Sequence, residues 1–200
     1  MSSIPRAVRR ALTAALALVL LAGAARGDDL WQLAKGKQDV HRYATLFTAH
    51  NVRDHLATDK GIDEAIAWCK RTAVTHVFIE TFRSRYQADR KVLAHARDRF
   101  REAGFDVSGC VTTTNVGKRS TGWNLISCYT DPGTQQRVKE IFEFTAGLFD
   151  EIMIDDFWFT DCTCPACDAA RRAKTVTIGD KTYAVSGDSW EDYRSELIDR

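Results

Sequence analysis

The chain has 200 residues and a formal net charge of +1, enough length for one hydrophobic core. No stripe of Lys and Arg marks a nucleic-acid surface, and beyond the first 27 residues no apolar run reaches membrane length. The expected partner is therefore polar and small or neutral, with no nucleic acid and no membrane span.

The amino terminus has the form of a secretory signal peptide. Arg6, Arg9 and Arg10 precede an apolar run over residues 11–25, and Ala25-Arg26-Gly27 offers a small-x-small cleavage site, giving a signal segment of residues 1–27. The alternative is a retained amino-terminal anchor. Cleavage removes four arginines and no acids, so the +1 charge becomes −3. A secreted or periplasmic location follows from this reading.

Residues 28–40 read as a polar leader, and from residue 41 the chain alternates strand and helix patterns. Residues 41–48 (HRYATLFT) form the first expected strand, followed by His50 and Asn51. A helical pattern covers 59–72, with Ile62, Ile66 and Cys69 on one face and Asp59 or Asp63 as its cap. The second strand, 75–80, delivers Glu80 and Arg83, and the next helix carries Val92, Ala96 and Phe100 and stops at Gly104. The third strand, 105–112, leaves through Thr113-Thr114-Asn115 and a loop bearing Trp123, Asn124 and Cys128. Asp131-Pro132 starts a third helix, because proline is tolerated in a first turn, and Val138, Ile141, Phe142 and Thr145 give its apolar face. A fourth strand spans 150–156, a hairpin pairs 175–178 with 182–185, and a last helix opens at Ser189 and runs to Arg200.

Alternation of this kind predicts an α/β fold with a parallel sheet and right-handed crossovers. Four units supply half of an eight-stranded barrel, so the expectation is a (β/α)8 TIM-barrel-like fold of which residues 41–200 are the amino-terminal half. A small open α/β sheet is the alternative.

In parallel α/β folds, functional groups gather at the carboxyl ends of strands. Glu80, Asp155 and Asp156 are candidate catalytic carboxylates there, and glycoside hydrolysis requires two such groups on either side of the bond. Adjacent strand residues face opposite ways, so Asp155 and Asp156 divide. Placing Ile152 and Ile154 under the helices turns Met153 and Asp155 inward. His50, Asn51 and Asn115 are candidate donors to sugar hydroxyls, and Trp123, Trp158 and Phe159 are candidate stacking rings. For each the plain alternative is capping, pairing or packing; Glu80, for instance, has Arg83 and Arg85 nearby.

Cys162, Cys164 and Cys167 are too close together to pair comfortably, and are spaced to wrap one ion as thiolates. Cys128 is the best fourth ligand for a structural zinc. Disulfides from Cys128 to Cys162 or Cys164 are the alternative in an exported protein. Cys69 and Cys110 read as buried free thiols.

With these residues in place, the chain resembles the (β/α)8 glycoside hydrolases, and most specifically family 42 β-galactosidases and related hypothetical glycosyl hydrolases. Cys162, Cys164 and Cys167 match the cysteine cluster that follows the fourth strand there, and Cys128, four residues before Pro132, matches the earlier zinc ligand. The resemblance implies a carbohydrate substrate and a structural zinc. It departs at the acid: those enzymes carry Asn-Glu at this strand end, where this chain has Asp155-Asp156, and their nucleophile lies on a seventh strand. Family 18 chitinases fit less well, because Phe157 stands where they carry the essential glutamate. A non-catalytic carbohydrate-binding protein and a cysteine-ligated metal protein are the competing functions.

Overall fold

The computed structural model describes residues 30–155, 157–173, 175–178 and 180–184. The signal segment, Asp156 and the expected helix over 189–200 lie outside the described residues. Four parallel strands form the sheet: β1 (Ala44–Phe47), β2 (His76–Arg83), β4 (Asp106–Val111) and β5 (Ile152–Ile154), in that order across it. A two-residue strand, β3 (Tyr86–Gln87), folds back antiparallel on β2. Neighbours in sequence are neighbours in space, so the sheet winds in one direction.

The crossovers are helical, and one helix was not expected. Between β1 and β2 lie α1 (Ala49–His55) and α2 (Asp59–Arg71). Thr48 caps α1 in a reciprocal box with Asn51: the Thr48 hydroxyl accepts from Asn51 N–H, and Thr48 N–H donates to Asn51 Oδ1 at 3.0 Å. The familiar form of that box has Glu or Gln at the third position, so Asn51 hides the signal. The cap of α2 is Thr58 rather than Asp59 or Asp63, its hydroxyl accepting from Gly61 N–H. Both acids face outward to Arg99 and His95 of α3 (Arg90–Glu102). Asp89 caps α3, and α4 (Pro132–Ala146) begins with Asp131 as cap and Pro132 in its first turn. The short helix α5 (Pro165–Arg172) and the antiparallel hairpin β6 (Thr175–Ile178) and β7 (Lys181–Ala184) follow. The second strand of that hairpin starts one residue earlier than expected.

Strand alternation divides the sheet into two faces. Val77 and Ile79 of β2 pack with Ile62, Leu93, Ala96 and Phe100 of α2 and α3, and Val111 joins Ile141 of α4. The other face carries His76, Phe78 and Glu80, then Ser108, Cys110 and Thr112, then Met153 and Asp155. Its apolar members Leu46, Phe78 and Met153 are only half-buried and belong to neither core. Parallel sheets are ordinarily covered on both faces or closed into a barrel. This mixed α/β arrangement, with a sequentially wound parallel sheet, is consistent with a TIM-like domain.

Residues 30–35 are helical and not merely a polar leader. Trp31 is buried, its indole N–H donates to the Val74 carbonyl at 3.0 Å, and its ring packs against Phe105.

Candidate functional site

The carboxyl edge of β2 is shaped by a β-bulge between Glu80 and Phe82. Thr81 and Phe82 both turn toward the helices, Thr81 to the Thr145 hydroxyl and Phe82 into the apolar cluster with Val111 and Ile141. The extra residue re-aims the chain, so that Arg83 returns to the face that carries Glu80. Without it, residues three apart on a strand would face opposite ways.

Around Arg83 four side chains close into one network. Its Nε lies 2.9 and 3.0 Å from the two Glu80 oxygens, and its Nη2 donates to Asp155 Oδ2 at 2.7 Å. The Thr112 hydroxyl touches both Glu80 Oε1 and Asp155 Oδ2, the latter at 3.0 Å. Ala49 N–H, in the first turn of α1, donates to Glu80 Oε2 at 2.6 Å. Burial disfavours the Arg83 charge, but the Glu80 and Asp155 carboxylates outweigh it and hold its pKa above the ordinary value. The neighbouring Cys110 thiol is pushed up to about 12, chiefly by burial and then by the same two carboxylates.

The two acids differ in access. Glu80 has 0% exposure, whereas the Asp155 side chain is 29% exposed. The two carboxylates share the Thr112 hydroxyl and the Arg83 guanidinium, whereas glycoside hydrolysis uses a pair of carboxyl groups on either side of the bond. Such a pair must flank the scissile bond, and Glu80 has no surface to offer one. Asp155 faces solvent and is fixed by its backbone N–H to the Val111 carbonyl at 3.0 Å.

The remaining candidates have partners of their own. His50 lies in α1, with its ring stacked on Tyr86 at 5.3 Å, and Asn51 Oδ1 is engaged in the α1 cap. Asn115 adopts a left-handed conformation (φ 51°) and its N–H donates to the Leu125 carbonyl. Trp123 is 45% exposed, tilted against Phe157 at 5.5 Å. Trp158 is 53% exposed but packs on Tyr129 and on Phe142 of α4, on the helix side. A hollow of about 680 Å³ runs beside β1 between Phe47, Asn51, His55 and Trp68 and includes none of the acid network. Arg83 and Thr112 are the members that the sequence did not mark as site residues. A strand threonine carries no signal of its own, and the bulge that aims Arg83 is invisible in residue order.

The cysteines form the second centre. Cys128, on the β4–α4 loop, meets Cys162, Cys164 and Cys167, and all four Sγ atoms lie within 4.8 Å of one another. Cys128 Sγ is 3.8 Å from Cys164 Sγ and 3.6 Å from Cys167 Sγ. A disulfide requires about 2.05 Å. A tetrahedron of sulfurs about 2.3 Å from a central zinc has edges of about 3.8 Å, so the donor set fits that ion. Burial opposes charge on Cys162, yet hydrogen bonds from Cys164 N–H and Thr121 draw its pKa down to about 6. No disulfide links the six cysteines, and Cys69 and Cys110 are buried free thiols elsewhere.

Around this cluster the two loops are laced together. Asp161 accepts from the Ser120 hydroxyl and from Trp123 N–H, Thr163 N–H donates to the Thr121 hydroxyl at 2.7 Å, and the Thr160 hydroxyl donates to the Ser127 carbonyl at 3.0 Å. The wall that carries Trp123 is thereby tied to the segment that follows Asp155.

A parallel sheet with acids at its carboxyl edge and a braced loop beside them agrees with what comparison shows. The chain belongs to the family described as probable glycosyl hydrolase, catalytic domain, which it matches over residues 28–200. An uncharacterized protein of Saccharolobus solfataricus is 27% identical over 128 residues, covering 60% of this chain and 21% of that protein. The chain thus spans about a fifth of that relative's length. No solved structure matches.

Proposed function

We propose that the protein is an exported glycoside hydrolase in which Asp155 is the carboxylate that acts at the glycosidic bond. The observation that carries this reading is the position of Asp155: a solvent-facing acid just beyond a parallel strand, held by Arg83 and Thr112, in a chain of a glycosyl hydrolase family. Asp156, its neighbour, would orient ligand or loop amides. Trp123 would offer an apolar ring to a sugar face, with His50 and Asn115 placed as hydroxyl partners. The half-buried inner face and the one-directional winding support closure into a (β/α)8 barrel by strands additional to those described. Export is supported by the amino-terminal pattern, with the family match beginning at residue 28.

Cys128, Cys162, Cys164 and Cys167 would hold a structural zinc. Bound there, the ion supplies cross-linking of two loops and no chemistry on the substrate. The protein residues do the rest: Asp155 meets the sugar, Arg83 and Thr112 orient it, and the laced loops hold the wall beside it.

The test is hydrolysis of a panel of aryl glycosides by the full-length protein. Asp155→Asn lowers kcat by at least about 100-fold, as expected for loss of a catalytic carboxylate, with an unchanged melting temperature. Full activity in that variant refutes the assignment. Binding of sugars by a wild-type protein without hydrolysis would favour the non-catalytic reading.

A further inference from the structure

We infer that Arg83 is the positioning residue of the site, held from behind by the buried Glu80 so that it fixes Asp155 in its reactive orientation. The inference rests on the reading of Asp155 as the reacting carboxylate.

Four observations carry it. Glu80 has no exposed surface and accepts from Ala49 N–H and from Arg83 Nε, so it acts on its neighbours and not on a ligand. Arg83 uses separate nitrogens of one guanidinium, Nε toward Glu80 and Nη2 toward Asp155. A planar five-donor fork can bridge two carboxylates in a fixed geometry, which the point charge of a lysine cannot reproduce. Thr112 touches both acids but has a single hydroxyl proton, so it can donate to only one at a time, and Arg83 is the link that serves both. The bulge in β2 exists at the one place that turns Arg83 toward this task.

The experiment uses the full-length protein and an aryl glycoside that it hydrolyses. Arg83→Ala lowers kcat by about 100-fold, the order expected when a reacting group is misplaced by about 1 Å, and leaves KM within about threefold. Added guanidinium chloride, at concentrations that leave the wild type unaffected, restores at least a tenth of the lost activity. Arg83→Lys folds, keeps the charge, and still loses kcat without change in KM. Glu80→Gln, which retains the shape and loses the anchoring charge, lowers kcat in the same direction with KM unchanged.

Wild-type kcat in Arg83→Ala, or a folded Arg83→Ala that guanidinium does not rescue, overturns the inference. Should Arg83→Ala fail to fold, Arg83→Lys decides, and wild-type kcat there overturns it. Asp155→Asn is run alongside: if that variant is fully active, the underlying assignment has failed, and if it is inactive while the Arg83 variants behave as wild type, only the positioning role has failed.

Discussion

Asp155 and Glu80 are both strand-end acids, and their surroundings give them different work. Sequence order marks the two equally, because burial depends on what α1 and Arg83 bring to Glu80 from elsewhere in the chain. Asp155 was legible as the inward-facing acid from simple alternation along 150–156, and its network is consistent with that reading. Arg83 was named only as a partner for Glu80. At the same scale, Gly61 is fixed by contact: a Cβ there would lie 1.8 Å from the His55 carbonyl oxygen, where the end of α1 abuts the first turn of α2. Gly61→Ala should destabilise the protein by about 1–3 kcal/mol through backbone overpacking, measured by denaturant unfolding. Wild-type stability in that variant would contradict the described approach of α1 to α2.

Between elements, α2 and α3 are tied on their outer sides by Asp59, which pairs with His95 at 2.6 Å and Arg99 at 2.9 Å. The hydrogen bond from His95 foremost, then the charges of His95 and Arg99, hold the Asp59 carboxyl below its ordinary value of 3.8, against desolvation. A lowered folded-state pKa means that the tie contributes stability above the unfolded value, and that the contribution is lost as pH falls through the folded value. Asp59→Asn should therefore lower the melting temperature slightly at neutral pH, with the difference vanishing toward pH 2–3 as the wild type loses the same charge. A difference that persists undiminished in acid would contradict the tie. Helices with an apolar stripe and a strong cap were readable: α3 through Val92, Ala96 and Phe100, and α4 through Asp131-Pro132. Helix α1 was not, because seven residues carry too little periodicity and its box uses Asn51. The helical segment around Trp31 was hidden by its shortness, with the polar run Lys35-Gly36-Lys37 directly after it, although one buried indole anchors it to Val74.

Among the described residues, α2, α3 and α4 cover one face of the sheet, the acid network sits at its carboxyl edge, and the cysteine group lies where two loops meet beside that edge. The cysteine spacing was the strongest signal in the sequence and it located all four members, since three lie within six residues and Cys128 is placed by the start of α4. The full-length protein should bind one zinc per chain, measured by elemental analysis, and thiol titration of the unfolded protein should find six free cysteines once the metal is removed. Chelation or Cys128→Ser should lower the melting temperature by more than about 5 °C, since metal binding to such a group is folding free energy. Activity should fall with it through the loosened wall. A metal-free protein with oxidised cysteine pairs would contradict the zinc assignment without touching Asp155.

The central claim is that Asp155 acts on a glycosidic bond, and it is tested most directly by comparing the wild type and Asp155→Asn for hydrolysis of aryl glycosides in the full-length protein. The account predicts measurable turnover in the wild type and a loss of at least about 100-fold in kcat in a variant that melts at the same temperature. Equal turnover by the two proteins would contradict it.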